Sequence, residues 1–263
     1  KNGKISGEYH HSYYLNQQAG GLHDSLVLEN PRASCRHRNW FELPWKMASV
    51  QVQHTFKKGL KIQGNINYLH GERNSVGYMK PISIADTFNL SLNSYNPREV
   101  DIDVYNTISS EIRFNKGYAF GKNNHVLTGG IRYCLSDIHR QQKGIGTGNA
   151  AFDLSVSPDN NGNYFQRDLD LQTQNVAAFV ENLFQIGKRL SLVPGYRIES
   201  IQASMSGRSN SIPGGYLTEQ QKDRILMLGG VSAKYTLAKK ANYSSTAYVN
   251  GNQNYRPVMY SEL

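Results

Sequence analysis

Arginine has the clearest chemical prospect in this sequence. Arg36, Arg38, Arg73, Arg98 and Arg140 all fall in or beside long polar stretches. A guanidinium presents a planar fork of N–H donors that fits a carboxylate or phosphate two bonds at a time. Several of them near strand ends point to an anionic small ligand. Lys and Arg number 29 against 20 Asp and Glu, a net charge of +9. No basic helix or nucleic-acid motif gathers these cations, which sets nucleic acid aside. Other patterns carry less. Gly144-Ile145-Gly146-Thr147-Gly148 has the wrong spacing for a dinucleotide fingerprint and no strand-turn-helix around it. Asp159, Asn161, Asn163 and Asp170 echo a calcium loop, but Gly162 is misplaced and the closing Glu is missing. Cys35 with His37, and His10 with His11, lack the further ligands of a metal site, so no metal is assigned. Cys35 and Cys134 read as two unpaired thiols. No Ser with a base and an acid forms a catalytic motif, and the expectation is no enzyme.

The scaffold for those arginines is a series of strands. Asn175 to Ile201 reads as two strands joined by a tight Gly187-Lys188-Arg189 turn. In the second strand Leu192, Tyr196 and Ile198 take one face, Arg197 and Glu199 the other, because residues two apart share a face. Similar alternation marks 4–16, 40–56, 61–68, 107–115, 127–136, 226–237 and a last strand from Tyr243. That makes about nine strands. Pro44 to Met47 breaks the phase and predicts a bulge or an aromatic rim, with Trp40 and Trp45 in an interfacial girdle.

Connection lengths separate a soluble sheet from a membrane barrel. Short turns at Lys57–Gly59, Gly121–Asn124, Gly187–Arg189 and Lys239-Lys240 alternate with long polar connections. The long ones cover 17–39, about 72–103, 139–168 and 206–222. Compact soluble domains seldom carry several such loops, whereas outer-membrane barrels pair short periplasmic turns with long outer loops. No run approaches the ~18 apolar residues of a spanning helix. The predicted class is all-β: an antiparallel up-and-down transmembrane β-barrel wall. Arg132, Glu181, Arg197 and Glu199 then face the lumen, in wall-to-wall or wall-to-plug ion pairs.

Several segments add a family likeness: QQAGGLHDS at 17–25, RNWFELPW at 38–45, GERNSVGYMKPI at 71–82, HVLTGGIRY at 125–133, NVAAFVENLFQIGKRLSLVPGYRIES at 175–200 and YVNGNQNYRPVMYSEL at 248–263. In this order they resemble the barrel of TonB-dependent outer-membrane receptors, most of all the Bacteroidetes-type ferric dicitrate group. The resemblance implies a barrel of about 22 strands around a plug, located in the bacterial outer membrane among its lipids. It implies uptake of an anionic ferric chelate, ferric dicitrate or a related siderophore, driven through the TonB complex. The iron is cargo, and no resident cofactor is implied. Arg36, Arg38, Arg73, Arg98 and Arg140 become ligand-binding candidates, with water, loop carboxylates or lipopolysaccharide phosphates as alternative partners. Tyr255-Arg256-Pro257 is assigned a strand-end structural role. Nothing resembles the N-terminal plug, the TonB box or the aromatic last strand. Residues 1–263 are therefore expected to be an internal portion of the barrel, the plug and the C-terminal strands lying elsewhere. Haem or oligosaccharide as cargo, or a secreted β-rich adhesin, stay open as alternatives.

Overall fold

The computed structural model describes residues 2–18, 20–210, 217–240 and 242–255. Its strands are β1 (Gly3–Gln17), β2 (Trp40–Thr55), β3 (Leu60–Gly77), β4 (Phe88–Asn89), β5 (Ser94–Tyr95), β6 (Glu99–Phe120), β7 (Asn123–Ile145), β8 (Phe165–Ile186), β9 (Leu190–Ser209), β10 (Leu217–Lys239) and β11 (Ser244–Asn252). Apart from the small β4–β5 hairpin they form one nine-stranded sheet in the order β1-β2-β3-β6-β7-β8-β9-β10-β11. Every described pairing is antiparallel. Among the described residues the sheet is an open stretch of barrel wall, with β1 and β11 as its edges.

Two neighbouring rows across the wall show how the sequence divides its faces. Val52, Gly64, Ile112, Ile131, Ala178, Ile198 and Met227 pair in register from β2 to β10. One residue along lie Gln51, Asn65, Glu111, Arg132, Ala177, Glu199 and Leu226. Ile112 is 64% exposed while Glu199 is 5% exposed. Soluble proteins bury aliphatic side chains and expose carboxylates; here the order is reversed. The apolar face is turned outward to lipid and the polar face lines the lumen.

The strands reach further than the alternation read from the sequence. β6 and β8 have 22 residues, β7 and β10 have 23, against the ~9–11 that span a bilayer. The excess rises on the side of the long connections. Residues 72–77 and 99–103 are strand, so the second long connection shortens to 78–98 and the third to 146–164. A six-residue helix α1 (Asp24–Glu29) and the β4–β5 hairpin lie within the loops.

No bulge occurs at Pro44–Met47: β1 and β2 pair without a shift from Gly3↔His54 to Gln17↔Trp40. Leu43 and Pro44 only interrupt the ladder to β3, which resumes in the same register at Trp45↔Gly71. A proline withholds one N–H from the ladder without adding a residue to it. The unshifted register also corrects the girdle assignment. Trp45 shares the lumen face with Gln51 and stacks on Tyr105 at 6.1 Å, and only Trp40 keeps the outward phase. Register shifts instead fall between Val100 and Ile102, Leu217 and Gln220, and Thr236 and Ala238.

Candidate ligand-facing wall and loop anchors

At the long-loop rim the structure separates the five candidate arginines into two groups. Arg36, Arg38 and Arg98 are buried among the loops. Arg36 donates to the carbonyls of Cys35 (2.8 Å), Lys80 (3.0 Å), Pro81 (3.0 Å) and Ile84 (3.2 Å), and lies over the Tyr78 ring. The first long loop thereby holds the second. Arg38, also in the first loop, reaches the second and the third: Nε donates to Asp86 Oδ2 at 2.8 Å, Nη2 donates to Asp86 Oδ1 and the Asn96 carbonyl, and Nη1 donates to the carbonyls of Gly148 and Asn149. Its guanidinium covers the Tyr95 ring at 4.5 Å. All five N–H groups of a guanidinium are accounted for by this loop packing.

Arg98 extends the same anchor. Its Nη1 donates to the Arg38 carbonyl at 2.9 Å and its Nε to that of Thr147. Nη2 has no partner among the described residues. Burial, and then repulsion from Arg38, push its pKa below the ordinary arginine value. Apolar contacts complete the rim. Val76, Val100 and Phe165 are buried beneath Trp40, Phe152, Leu154 and Val156, and Trp40 Nε1 donates to the Ala150 carbonyl at 2.8 Å.

The 146–164 loop also carries its own clasp. Asp153 accepts from Ser155 N (2.9 Å), Thr147 Oγ1 (2.9 Å) and Asn149 Nδ2 (3.3 Å). These bonds, first the backbone N–H of Ser155, lower its pKa from 3.8 to about 2. The folded value lies below the unfolded one, so the stabilisation is present above the ordinary 3.8 and is lost as pH falls through about 2. Protection of the Thr147–Val156 amides, as hydrogen exchange relative to the intrinsic rate at each pH, is expected to hold down to the unfolded pKa and to decline below it. Asp153→Asn is expected to remove that pH dependence; persistence of the step in the variant would disprove the clasp.

Arg73 and Arg140 form the second group, on the lumen wall below the loops. They flank one carboxylate in a cross-strand row, since Asp103 pairs with Arg73 on β3 and Arg140 on β7. Asp103 is fully buried and accepts from Arg73 Nη1 at 3.3 Å and Arg140 Nε at 3.1 Å. The two arginine side chains remain 49% and 31% exposed. Gln142 adds a bond to Asp103 at 3.5 Å and accepts from Arg167 at 2.9 Å. Beyond their bonds to Asp103, both guanidinium groups keep part of their surface open to the lumen. Asp103 falls at the end of the 72–103 connection and Gln142 and Arg167 inside 139–168, so the sequence pattern does not mark them as wall residues. Yet Val100, Ile102 and Val104 alternate with Glu99, Asp101 and Asp103, a period-2 signal for strand.

Deeper in the lumen, Arg197 pairs with Glu199, which also accepts from Asn175 Nδ2 at 3.4 Å and Tyr255 Oη at 2.6 Å. Arg113 and Arg197 lie over the Phe179 ring at 5.7 and 5.9 Å. Arg132 is in register with Glu111, and Glu181 with Thr128 and Gly195. Arg256 and Pro257 lie outside the described residues. Cys35 and Cys134 are free. Asp159 closes its own loop on the N–H groups of Asn161 and Asn163, both at 2.8 Å, while Asp170 stands apart on β8 bonded to His139. Among the described residues no cluster of three or more His, Cys, Asp or Glu could hold a metal ion.

A meander of tall antiparallel strands, apolar outside and polar within, with long connections at one rim and tight turns at the other, defines a transmembrane β-barrel wall. Residues 5–262 match the family described as TonB dependent receptor-like, beta-barrel, and the chain belongs to that family. No curated protein sequence matches it. Among solved structures it is similar to the ferric citrate transporter FecA in its unliganded form, with a TM-score of 0.76 and 19% identity, covering 98% of this chain and 34% of that one. It also resembles the ferric-catecholate import receptor Fiu of E. coli K12 in the open form, with a TM-score of 0.67 and 14% identity, covering 97% and 45%. A third is the siderophore receptor PiuA of Acinetobacter baumannii, with a TM-score of 0.64 and 9% identity, covering 90% and 38%. At such identities the likeness concerns the fold. The chain spans between about a third and a half of the length of these receptors. Receptors of this family are transporters, not enzymes.

Proposed function

We propose that this chain is part of the wall of an outer-membrane receptor for an anionic ferric chelate, ferric dicitrate or a related carboxylate siderophore. The plug and its TonB contact belong to segments beyond the chain. The observation that carries this reading is the Arg73–Asp103–Arg140 row, whose two partly exposed guanidinium groups face the lumen under the loop rim. A citrate carboxylate reaching this row meets guanidinium forks already held in place by Asp103, so little side-chain entropy opposes binding. Arg36, Arg38 and Arg98 serve the same site indirectly, by fixing the loops around its mouth.

The test is binding of radiolabelled ferric citrate to cells making the full-length receptor. The decisive variant combines Arg73→Gln, Asp103→Asn and Arg140→Gln, which removes the charge without leaving a buried carboxylate unpaired. Each lost charge-assisted bond is worth about 1.5–3 kcal/mol, so affinity is expected to fall at least about ten-fold while heat-modifiable gel mobility persists. Unchanged affinity in an assembled barrel would move the anion site away from this row.

A further inference from the structure

We propose that the short-turn rim is a docking surface for anionic phospholipid headgroups of the periplasmic leaflet. The inference rests on the reading of the chain as an outer-membrane wall with its short turns in the periplasm. Charge is sorted sharply along the strands. Residues 54–61, 115–125, 182–191 and 234–244 surround the four short turns and together hold ten Lys or Arg and no Asp or Glu. All 20 carboxylate residues lie elsewhere. Lys57 and Lys58 stand at the first turn, Lys122 at the second, Lys188 and Arg189 at the third, Lys239 and Lys240 at the fourth, and all are exposed. None of them takes part in an ion pair among the described residues.

Geometry joins these turns into one band. Paired strands are ~4.8 Å apart, so successive hairpin turns recur about every 10 Å along the rim. That is close to the Debye length of ~8–10 Å at physiological ionic strength. Neighbouring turns therefore repel one another unless anions lie against them. Lys116 Nζ donates to the Lys58 carbonyl, which draws a cation of one hairpin toward the next. An exposed aromatic belt adjoins the cations: Phe120 is 77% exposed and Tyr243 53%, and Phe184 lies on the same rim. Aromatic rings settle at the boundary between lipid and water, and basic side chains beside them fall at the depth of headgroup phosphates. An acidic soluble partner would match the charge but not the continuity with the lipid-facing belt.

The experiment places the full-length receptor in bilayers of phosphatidylethanolamine alone, or mixed with phosphatidylglycerol, and reads thermal unfolding and the lipids retained on native mass spectrometry. Expected are a higher unfolding midpoint and retained phosphatidylglycerol in the mixed bilayer. Both should decline with salt. Both should vanish when Lys58, Lys122, Lys188, Arg189, Lys239 and Lys240 are all changed to Gln. A Lys→Arg version at the five lysines should keep the preference, which preserves the test if the Gln variant does not insert. Equal midpoints and equal retention in the two bilayers would overturn the proposal. So would inorganic phosphate reproducing the full shift in detergent, since a free anion would then suffice. Failure to form a heat-modifiable barrel in either bilayer would instead overturn the membrane reading on which the proposal stands.

Discussion

Replacing Arg38 with Ala is expected to release the second and third long loops together while leaving the sheet paired. Arg38 is wholly buried and bonds to both 78–98 and 146–164, through Asp86, Asn96, Gly148 and Asn149. Its removal strands the Asp86 carboxylate, whose side chain is 1% exposed, without a cation. Breaking one side of a buried pair costs about 3–5 kcal/mol, comparable to the stability of a locally opening unit. Limited proteolysis should then cut within 78–98 and 146–164 at least about a hundred-fold faster, since ~1.4 kcal/mol corresponds to ten-fold in an opening equilibrium. Heat-modifiable mobility should persist because no ladder hydrogen bond depends on this side chain. Arg38→Lys should not rescue the loops, as one ammonium cannot grip Asp86 and three carbonyls in a plane. Replacing both partners, as Arg38→Met with Asp86→Leu, should restore part of the protection. Wild-type protease resistance in Arg38→Ala would show that the apolar rim holds the loops unaided.

Gly130→Val is expected to prevent assembly of the wall altogether. On β7, Gly129 and Gly130 each accept an aromatic ring, one per face. A Cβ on Gly129 would meet the Phe114 ring at 2.8 Å, and one on Gly130 the Phe179 ring at 2.7 Å. The Gly130 Cβ would also lie 2.6 Å from the Ile112 carbonyl oxygen. A ring could turn aside; a carbonyl in the β6–β7 ladder cannot retreat without breaking its pairing. Overpacking commonly costs about 1–3 kcal/mol. Here it would also displace Phe179 from between Arg113 and Arg197. Intrinsic strand propensity argues the opposite, because Val is the better strand residue. The outcome therefore discriminates between packing and propensity. Heat-modifiable protein at wild-type levels in Gly130→Val would show that the wall yields at this point.

Much of the wall was legible in the sequence, because its two solvents force a period of two on every crossing strand. Arg197 and Glu199 against Tyr196 and Ile198 gave both the strand and the direction of each face. Legibility failed where that contrast weakened. Above the lipid band both faces meet water, so 72–77 and 139–145 read as loop although both are strand. Pro44 suggested a bulge because a missing N–H and an added residue look alike in a one-dimensional pattern. The arginines were conspicuous by type, but their partners were not. Asp86 is 48 positions from Arg38, and the Gly148 carbonyl 110. Only the folded loops bring those groups together, and no local spacing encodes them.

The order of the strands has an evolutionary consequence. Apart from the small loop hairpin, each strand bonds only to strands adjacent in the chain, and each tight turn closes a self-contained pair. A gene segment encoding one such pair can be duplicated or lost without altering any register outside its own borders. Because barrel diameter grows roughly linearly with strand number, such events change the bore in even steps while the loops on the surviving pairs go on diverging independently.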